Sequence, residues 1–268
     1  MFKKVPVLSS KLPGTFWVGM LFDVPFAMSL SLSTLIKGLD FILPSICITC
    51  EQPSYERNLC SSCIETIPFI KPPFCFQCGI PLSSSPLEKK ILCGKCFNQK
   101  SFIRKNRSCA LYDGLWKEIL HLYKFNQQIL LAREFAILSS EHFLDLNFQE
   151  YDYLIPVPLD TARFKERKFN QAQLLAEKLA LFYNKKVCSN ILFKRKTISP
   201  QSSLSRKERI LNIKGAFSIT HKEWIKNKKI LLIDDVKTTG ATLHECAKTL
   251  SKAKPKFIDS FTLALTPP

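Results

Sequence analysis

The sequence predicts an α/β fold with a parallel sheet, preceded by a small cysteine-rich module that binds zinc. Segments with strand and helix patterns alternate over residues 101–268, which is typical of a parallel sheet. Eight of the eleven cysteines form four Cys-x-x-Cys pairs between Cys47 and Cys96. With 268 residues and 46% hydrophobic composition, the chain is long enough for one mid-sized domain and one small domain.

Residues 1–43 are interpreted as an N-terminal extension outside both parts. The stretch over residues 12–35 is fairly apolar and follows three lysines, so it superficially resembles a signal peptide. Asp23 and Pro25 interrupt it, and no apolar run reaches the ~18 residues that a membrane span needs. We interpret the extension as an overlong start, with an internal methionine as the first residue, and expect a cytoplasmic protein without a membrane span.

Residues 44–100 form the predicted cysteine-rich module. A Cys-x-x-Cys turn places two thiolates on one side of a tight loop, and two such turns complete a tetrahedron around Zn²⁺. The module contains no histidine, and four thiolate ligands leave no coordination position open for catalysis. Structural zinc is therefore favoured over iron–sulfur clusters or redox dithiols. The candidate ligands are Cys47, Cys50, Cys60, Cys63, Cys75, Cys78, Cys93 and Cys96.

The spacing of the pairs leaves their grouping open. The gaps between successive pairs are nine, eleven and fourteen residues, so adjacent and interleaved grouping both fit, as does a single site with four ligands. Gly79 and Gly94 adjoin the last two pairs. We expect these glycines to let the backbone turn, so that amides face the cysteine sulfurs.

Residues 101–268 are predicted to be one strongly basic α/β domain. Apolar spacing predicts its elements, namely helices over 115–125, 129–146, 169–183 and 241–253 and strands over 151–158, 229–233 and 256–265. The chain has a net charge of +17, of which +13 lies in this part. A basic domain attracts polyanions, either nucleic acid or small molecules that carry phosphate.

The segment over residues 230–242 contains the most specific pattern. It consists of a buried strand, two carboxylates, a hydroxyl-rich turn with a glycine, and the start of a helix. Amides at a helix N-terminus attract phosphate, and two adjacent acids can accept hydrogen bonds from ribose hydroxyls. An ordinary strand-to-helix turn is the alternative. We predict a ribose-phosphate site, with Asp234 and Asp235 as the candidate catalytic residues, formed by Asp234, Asp235, Lys237, Thr238, Thr239, Gly240, Ala241 and Thr242.

This segment resembles the phosphoribosyl pyrophosphate (PRPP) signature of type I phosphoribosyltransferases. Together with the segments 155–159, 167–171 and 215–217 and the cysteine module in front, it makes residues 40–268 resemble the ComF family of competence proteins. The resemblance implies a type I phosphoribosyltransferase fold and binding of PRPP with Mg²⁺. The family pattern usually has glycine where Lys168 stands, and we take this change to add only charge.

The resemblance also implies roles by position. A loop beside the pyrophosphate is formed by Pro156, Val157 and Pro158, with charge neutralisation by Arg163, Arg167 and Lys168. A mobile loop over residues 195–217 would close over substrate, and its expected working residues are Gln201, Arg206 and Arg209.

Three functions remain open from the sequence. The first is a DNA-uptake factor that binds PRPP and single-stranded DNA, with other DNA-uptake proteins as further partners. The second is a phosphoribosyltransferase with an unidentified small acceptor. Purine salvage is disfavoured, because Thr238 stands where such enzymes often have an acid. The third is a zinc-ribbon binding module with a non-catalytic PRPP pocket, in which Phe74, Phe76 and Phe97 are candidates for stacking on bases.

Overall fold

The computed structural model describes residues 45–55, 57–83, 91–125, 129–142, 146–195 and 213–267. The N-terminal extension and the predicted loop residues Gln201, Arg206 and Arg209 lie outside these ranges. In the described part, no helix is both long enough and apolar enough to cross a membrane.

The cysteine-rich part is built from short elements. Strands β1 (Ser45–Ile46) and β2 (Pro53–Ser54) pair antiparallel, and the helices are α1 (Ser61–Glu65) and α2 (Gly94–Phe97). Each helix begins directly after the first cysteine of a pair, because Cys60 and Cys93 are the two N-cap residues. The second cysteine of each pair, Cys63 or Cys96, therefore lies in the helix itself.

The following residues form an α/β domain around a five-stranded sheet. Its elements are β3 (Asn106–Leu111), α3 (Gly114–Phe125), α4 (Leu131–His142), β4 (Tyr153–Pro156), α5 (Thr161–Arg167), α6 (Gln171–Tyr183), β5 (Lys186–Val187), β6 (Leu192–Lys194), β7 (Phe217–Ile219), α7 (Lys222–Ile225), β8 (Lys229–Lys237), α8 (Ala241–Ser251) and β9 (Phe257–Leu265). The sheet order is β3-β9-β8-β4-β5 and every pairing in it is parallel. Strands β6 and β7 form a separate antiparallel pair. The predicted parallel α/β fold behind a small cysteine-rich module is thus confirmed.

The sheet is buried on both faces, as its apolar strands predict. Along β8, Leu231 and Ile233 pack with the core residues of α3, α4 and α6, whereas Ile230 and Leu232 pack with those of α8. This alternation follows from the two-residue period of a strand. The first of these two cores also contains Cys47 and other buried residues of the cysteine module. The residues of both parts therefore share one core, and the boundary at residue 100 stays a prediction.

Strand β8 is longer than the apolar run predicts. Its pairing with β9 continues to Lys237, which lies opposite Leu265. The expectation that Asp234 and Asp235 follow the end of the strand is therefore wrong, since both lie within it. The physical reason is that β9 is equally long, and it supplies backbone partners beyond the last aliphatic residue.

Lys168 ends helix α5 in a left-handed conformation, with a backbone φ of +67°. This conformation costs a residue with a Cβ atom about 1–2 kcal/mol, whereas glycine adopts it freely. The change from the family's glycine thus affects the backbone as well as the charge.

We predict that Lys168→Gly raises the free energy of unfolding by about 1 kcal/mol, because the relief of strain exceeds the added chain entropy of glycine. Urea denaturation of wild type, Lys168→Gly and Lys168→Ala tests this. The alanine variant removes the charge but keeps the strain, so it should match wild type. Equal stability of the glycine and alanine variants would show that the backbone is not strained.

Candidate functional site

The eight cysteines of the module lie in two groups of four. The first group is Cys47, Cys50, Cys60 and Cys63, and the second is Cys75, Cys78, Cys93 and Cys96. Within each group all sulfur atoms lie within 4.8 Å of one another. Adjacent pairs are therefore combined, which the spacing alone left open.

The donor set of each group fits a structural zinc ion. Four thiolates without a free coordination position are the ligands of zinc ribbons. In the second group the backbone amides of Cys78 and Cys93 donate to Cys75 Sγ at 3.5 and 3.3 Å. Such bonds orient a ligand and stabilise its negative charge. They lower the pKa of Cys75 to about 7 although burial of the thiol opposes this, so its thiolate is available to a metal.

The two glycines beside the second group differ in role. Gly79 has a φ of +72°, and a Cβ atom added there would lie 2.6 Å from the carbonyl oxygen of Asn106. This confirms the expectation that the backbone at Gly79 needs glycine. Gly94 is the first residue of α2 and has free space around it, so the turn there does not require glycine, although the Cys93 amide faces a sulfur as expected. The N-cap geometry of Cys93 already makes that turn.

Asp234 and Asp235 lie in the centre of the sheet, at its carboxyl edge. Asp235 forms an ion pair of 3.0 Å with Lys124, the second-last residue of α3. Burial raises the pKa of Asp234 to about 8, and the charge of Asp235 acts in the same direction, whereas the Asp235 amide and the charges of Lys124 and Arg163 oppose it. The protonated, uncharged form of Asp234 is thus favoured, while Asp235 is paired with the cation Lys124.

The raised pKa of Asp234 predicts a pH-dependent stability difference. Since the folded state holds a proton that the unfolded chain releases from about pH 4, wild type loses stability as pH rises from 4 to 8. Asparagine cannot ionise, so Asp234→Asn should gain at least about 1 kcal/mol relative to wild type between pH 5 and pH 8. Urea denaturation without Mg²⁺ at three pH values measures this difference. A difference that is independent of pH would contradict the raised pKa.

The turn after β8, which is predicted to bind phosphate, leads directly into α8. Gly240 has a φ of +77° and precedes α8, whose first amide, that of Ala241, lies 3.2 Å from Thr239 Oγ1. Thr238 is exposed and Thr242 lies one residue into the helix. Hydroxyls and helix-terminal amides therefore lie close together in residues 238–242, where a phosphate would accept hydrogen bonds from both.

The ammonium group of Lys237 does not point toward the phosphate turn, where the sequence predicts that this residue binds PRPP. Its ammonium group donates to the carbonyl oxygen of Cys78 at 2.6 Å and to Asn106 Oδ1 at 2.8 Å. The side chain is thus directed to the second cysteine group rather than to the turn that follows it.

The predicted pyrophosphate loop adjoins the acid pair. Pro156 lies opposite Ile233 in the β4–β8 pairing, and the amide of Val157 donates to the Ile233 carbonyl at 2.8 Å. Pro158 follows and lines a cavity of about 310 Å³. Pro156 and Val157 therefore lie beside Ile233, the residue that precedes the acids, and their role toward pyrophosphate stays a prediction.

The three basic residues predicted for this loop differ in setting. Arg163 is exposed near the start of α5, with Nε 3.8 Å from Asp160 Oδ2. Arg167 Nη1 donates to Gln171 Oε1 at 3.3 Å, and its guanidinium lies 5.1 Å from the ring centre of Phe125. Of the two arginines, Arg163 is thus more accessible to an anion. Lys168, which ends the helix, is also exposed.

Two residues of this region have no signal in the apolar pattern. Lys124 lies in a helix 111 residues before its partner Asp235, so only the fold brings the pair together.

Asp160 caps α5 by accepting from the Arg163 amide, and it also pairs with Lys194 at 3.0 Å. Burial opposes ionisation of Asp160, but these two partners outweigh it and hold its pKa below the usual value. An N-cap pattern could have identified Asp160.

A cleft of about 1100 Å³ separates the second cysteine group from the phosphate turn. Its lining includes one acid, Glu245, and five lysines, which are Lys95, Lys100, Lys214, Lys237 and Lys248. Phe97 is 78% exposed at the end of α2. Phe74 and Phe76 instead face the guanidinium of Arg107, so of the three candidate stacking residues only Phe97 is available to a base.

The chain is similar to proteins named for competence and DNA use. A family model described as a double zinc ribbon domain matches residues 38–97. Competence protein F of Haemophilus influenzae is 31% identical over 229 residues, which cover 81% of this chain and 96% of that protein. Competence protein ComFC of Bacillus subtilis is 32% identical over 215 residues, covering 78% and 84%. DNA utilization protein YhgH of Escherichia coli K12 is 27% identical over 214 residues, covering 78% and 91%.

Among solved structures, a purine phosphoribosyltransferase from Pyrococcus horikoshii matches at 14% identity with a TM-score of 0.27, over 54% of this chain and 83% of that chain. Because identity above 30% covers most of both chains, the protein belongs to the ComF family of competence proteins.

Proposed function

We propose that this protein handles incoming DNA in natural competence, binding single-stranded DNA in the lysine-lined cleft and PRPP with Mg²⁺ at the adjoining phosphate turn. The names of its relatives support the role in DNA uptake, with other DNA-uptake proteins as partners. A reducing cytoplasm suits its free thiols and cysteine-bound zinc. The observation that carries the proposal is the cleft itself, where the described lining residues include one acid and four lysines besides Lys237, whose ammonium group is bonded within the protein.

The cleft has the composition of a single-strand groove. Proteins that bind single strands combine positive charge along the backbone path with aromatic rings on which bases stack. Lys95, Lys100, Lys214 and Lys248 line the cleft. Exposed Phe97 is not itself a lining residue but directly follows one, Cys96. Phe102 is 45% exposed, and its ring lies 5.4 Å from that of His244, which lines the same cleft. Lysines therefore line the cleft, and two exposed aromatic rings, those of Phe97 and Phe102, belong to residues next in the chain to its lining.

Fluorescence anisotropy with a labelled oligothymidine tests DNA binding. Lys95→Ala/Lys100→Ala should weaken DNA binding about tenfold. The slope of log K against log salt concentration should become less negative by about 0.7 for each phosphate contact that is lost. Phe97→Ala should cost about 1–3 kcal/mol of stacking. The matched controls are Lys117→Ala and Phe182→Ala, which change exposed residues outside the cleft. If control and cleft variants bind equally, the cleft is not the DNA site.

Each group of PRPP would have its own partner in the protein. The turn over residues 238–242 would hold the 5′-phosphate, Asp234 and Asp235 the ribose hydroxyls, and residues 156–158 with Arg163 the pyrophosphate. The carboxylate oxygens of the acid pair are also the donors that Mg²⁺ prefers, and Mg²⁺ bound with PRPP would neutralise charge on the pyrophosphate. Lys124 would hold the Asp235 carboxylate in place, since it already contacts that carboxylate.

A transferase is the second candidate function, and the intact acid pair favours it. In PRPP chemistry the bond from the ribose anomeric carbon to pyrophosphate breaks through a cation-like transition state, so positioning and charge neutralisation do most of the work. Pyrophosphate release from PRPP, measured with a panel of nucleobases and amines, tests this candidate. Release that disappears in Asp235→Asn would support it, and absence of release with every acceptor would leave binding as the function.

A further inference from the structure

The loop that joins Cys75 to Cys78 is attached to the sheet through its own backbone. Three successive carbonyl groups of this loop accept hydrogen bonds from residues of the α/β domain. The bonds run from Arg107 Nη1 to Phe76 O (2.8 Å), from Asn106 N to Gln77 O (2.7 Å) and from Lys237 Nζ to Cys78 O (2.6 Å). The position of the metal-ligand loop and the position of these donors are therefore linked.

Lys237 extends this link to the phosphate turn. It is the last residue of β8, and its Cε atom lies 3.3 Å from where a Cβ atom of Gly240 would stand, so its stem packs beneath the turn. Its ammonium group has two acceptors, Cys78 O and Asn106 Oδ1. A buried ammonium that loses an acceptor is strongly disfavoured, so Lys237 keeps this conformation only while Cys78 stays in place.

The first cysteine group is attached elsewhere. The amide of Asn58, in the loop before Cys60, donates to Glu134 Oε2 at 3.1 Å, and Glu134 belongs to α4. Arg57 in the same loop pairs with Glu134 and Glu141 of that helix. Helix α4 packs in the core on the α6 face of the sheet, whereas the phosphate turn leads into α8 on the other face. The two groups thus have different mechanical connections.

We propose that the second cysteine group, when it holds its metal ion, fixes the phosphate turn through Lys237, so that metal loading of this group and PRPP binding are coupled. Lys237 is then a positioning residue that acts on residues 238–241 and does not touch the ligand. The proposal rests on the proposed PRPP site. It predicts that the metal of the first group has no such effect.

Two matched variants separate the groups, because Cys60 and Cys93 are each the N-cap of a short helix. Cys60→Ser and Cys93→Ser should each lower the metal content by one zinc per chain. Calorimetry with Mg²⁺ and PRPP should show affinity weakened about tenfold or more by Cys93→Ser, as is typical of allosteric coupling, and changed less than about twofold by Cys60→Ser. Equal effects of the two variants would overturn the proposal.

Lys237→Met tests the connection itself, since it keeps the stem and removes the ammonium. It should retain both zinc ions and weaken PRPP binding about as much as Cys93→Ser does. Combining the two changes should give little further loss, because both break one connection. Additive losses would show that Lys237 and the second group act independently.

Hydrogen exchange provides a readout that needs no PRPP. The amides of residues 238–241 should exchange faster in Cys93→Ser and in Lys237→Met than in wild type or Cys60→Ser. If wild type does not bind PRPP but this exchange pattern appears, the proposed function fails, while the effect of the second group on the phosphate turn through Lys237 stands. If wild type binds PRPP and exchange at the turn is the same in all four proteins, the coupling is wrong.

Discussion

The purified protein is expected to contain two equivalents of Zn²⁺ per chain, and removing them is expected to unfold the cysteine-rich part. Each group offers four thiolates within 4.8 Å, which is the ligand set of a closed tetrahedral site. Structural zinc sites of this kind contribute about 10–16 kcal/mol in isolated zinc-finger peptides. The loss here would spread into the sheet, because Cys47 and Leu59 are part of the core that contains Trp116 and Phe135.

Metal analysis and thermal denaturation with and without a strong chelator measure this effect. Cys188→Ser changes a cysteine outside both groups and should keep two zinc ions. Iron in place of zinc, one equivalent in place of two, or a melting temperature unaffected by chelation would each contradict the assignment of two structural zinc sites.

Gly79→Ala is expected to cost about 3 kcal/mol of unfolding free energy. The left-handed backbone at Gly79 costs a residue with a side chain about 1–2 kcal/mol, and overpacking in a close contact typically adds about 1–3 kcal/mol. The contact is close because the new Cβ would lie 2.6 Å from the backbone oxygen of Asn106, which belongs to β3 and cannot rotate away.

Gly94→Ala is the matched control, since Gly94 also adjoins a zinc-ligand cysteine but has nothing within 4 Å of an added Cβ. It should stay within about 0.5 kcal/mol of wild type. Urea denaturation of both variants in the presence of zinc makes the comparison. Similar stabilities of the two alanine variants would show that the second group is not held tightly against β3.

Local patterns in the sequence identify the cysteine pairs and the segment after the buried aliphatic run, but not every strand of the sheet around them. The segment over residues 230–242 is recognisable because its aliphatic run, acids, turn and helix are contiguous, although in the structure the strand extends past the acids to Lys237. The eight cysteines are recognisable for the same reason. Their grouping is not, because nine-, eleven- and fourteen-residue gaps allow several closures and only packing selects one.

Strand β3 shows why the rest of the sheet is harder to predict. It begins with Asn106, Arg107 and Ser108, which read as polar, yet all three are at most 3% exposed. Their polar groups are satisfied across the fold, by Phe76 O for the arginine and by Ser260 and Thr262 of β9 for the other two. A hydrophobic pattern cannot identify a buried strand whose hydrogen-bond partners lie 31 to 154 residues away in the sequence.

The ion pair of Lys124 with Asp235 makes the same point for the site. Nothing near Lys124 in the sequence distinguishes it from the other lysines of a basic chain. It becomes a site residue because α3 ends beside the carboxyl edge of the sheet. Residues of this kind depend on tertiary structure, whereas those of the phosphate turn depend on local backbone geometry.

The most direct test of the account is calorimetric titration of Mg²⁺ and PRPP into wild type and into Asp234→Asn/Asp235→Asn, each repeated with single-stranded DNA present. We predict that wild type binds PRPP, that the double variant loses binding, and that DNA weakens binding to wild type because the cleft adjoins the phosphate turn. Absence of binding to wild type, or equal binding to both proteins, would contradict a PRPP site at the acid pair. Binding that DNA leaves unchanged would show that the two ligands occupy separate surfaces.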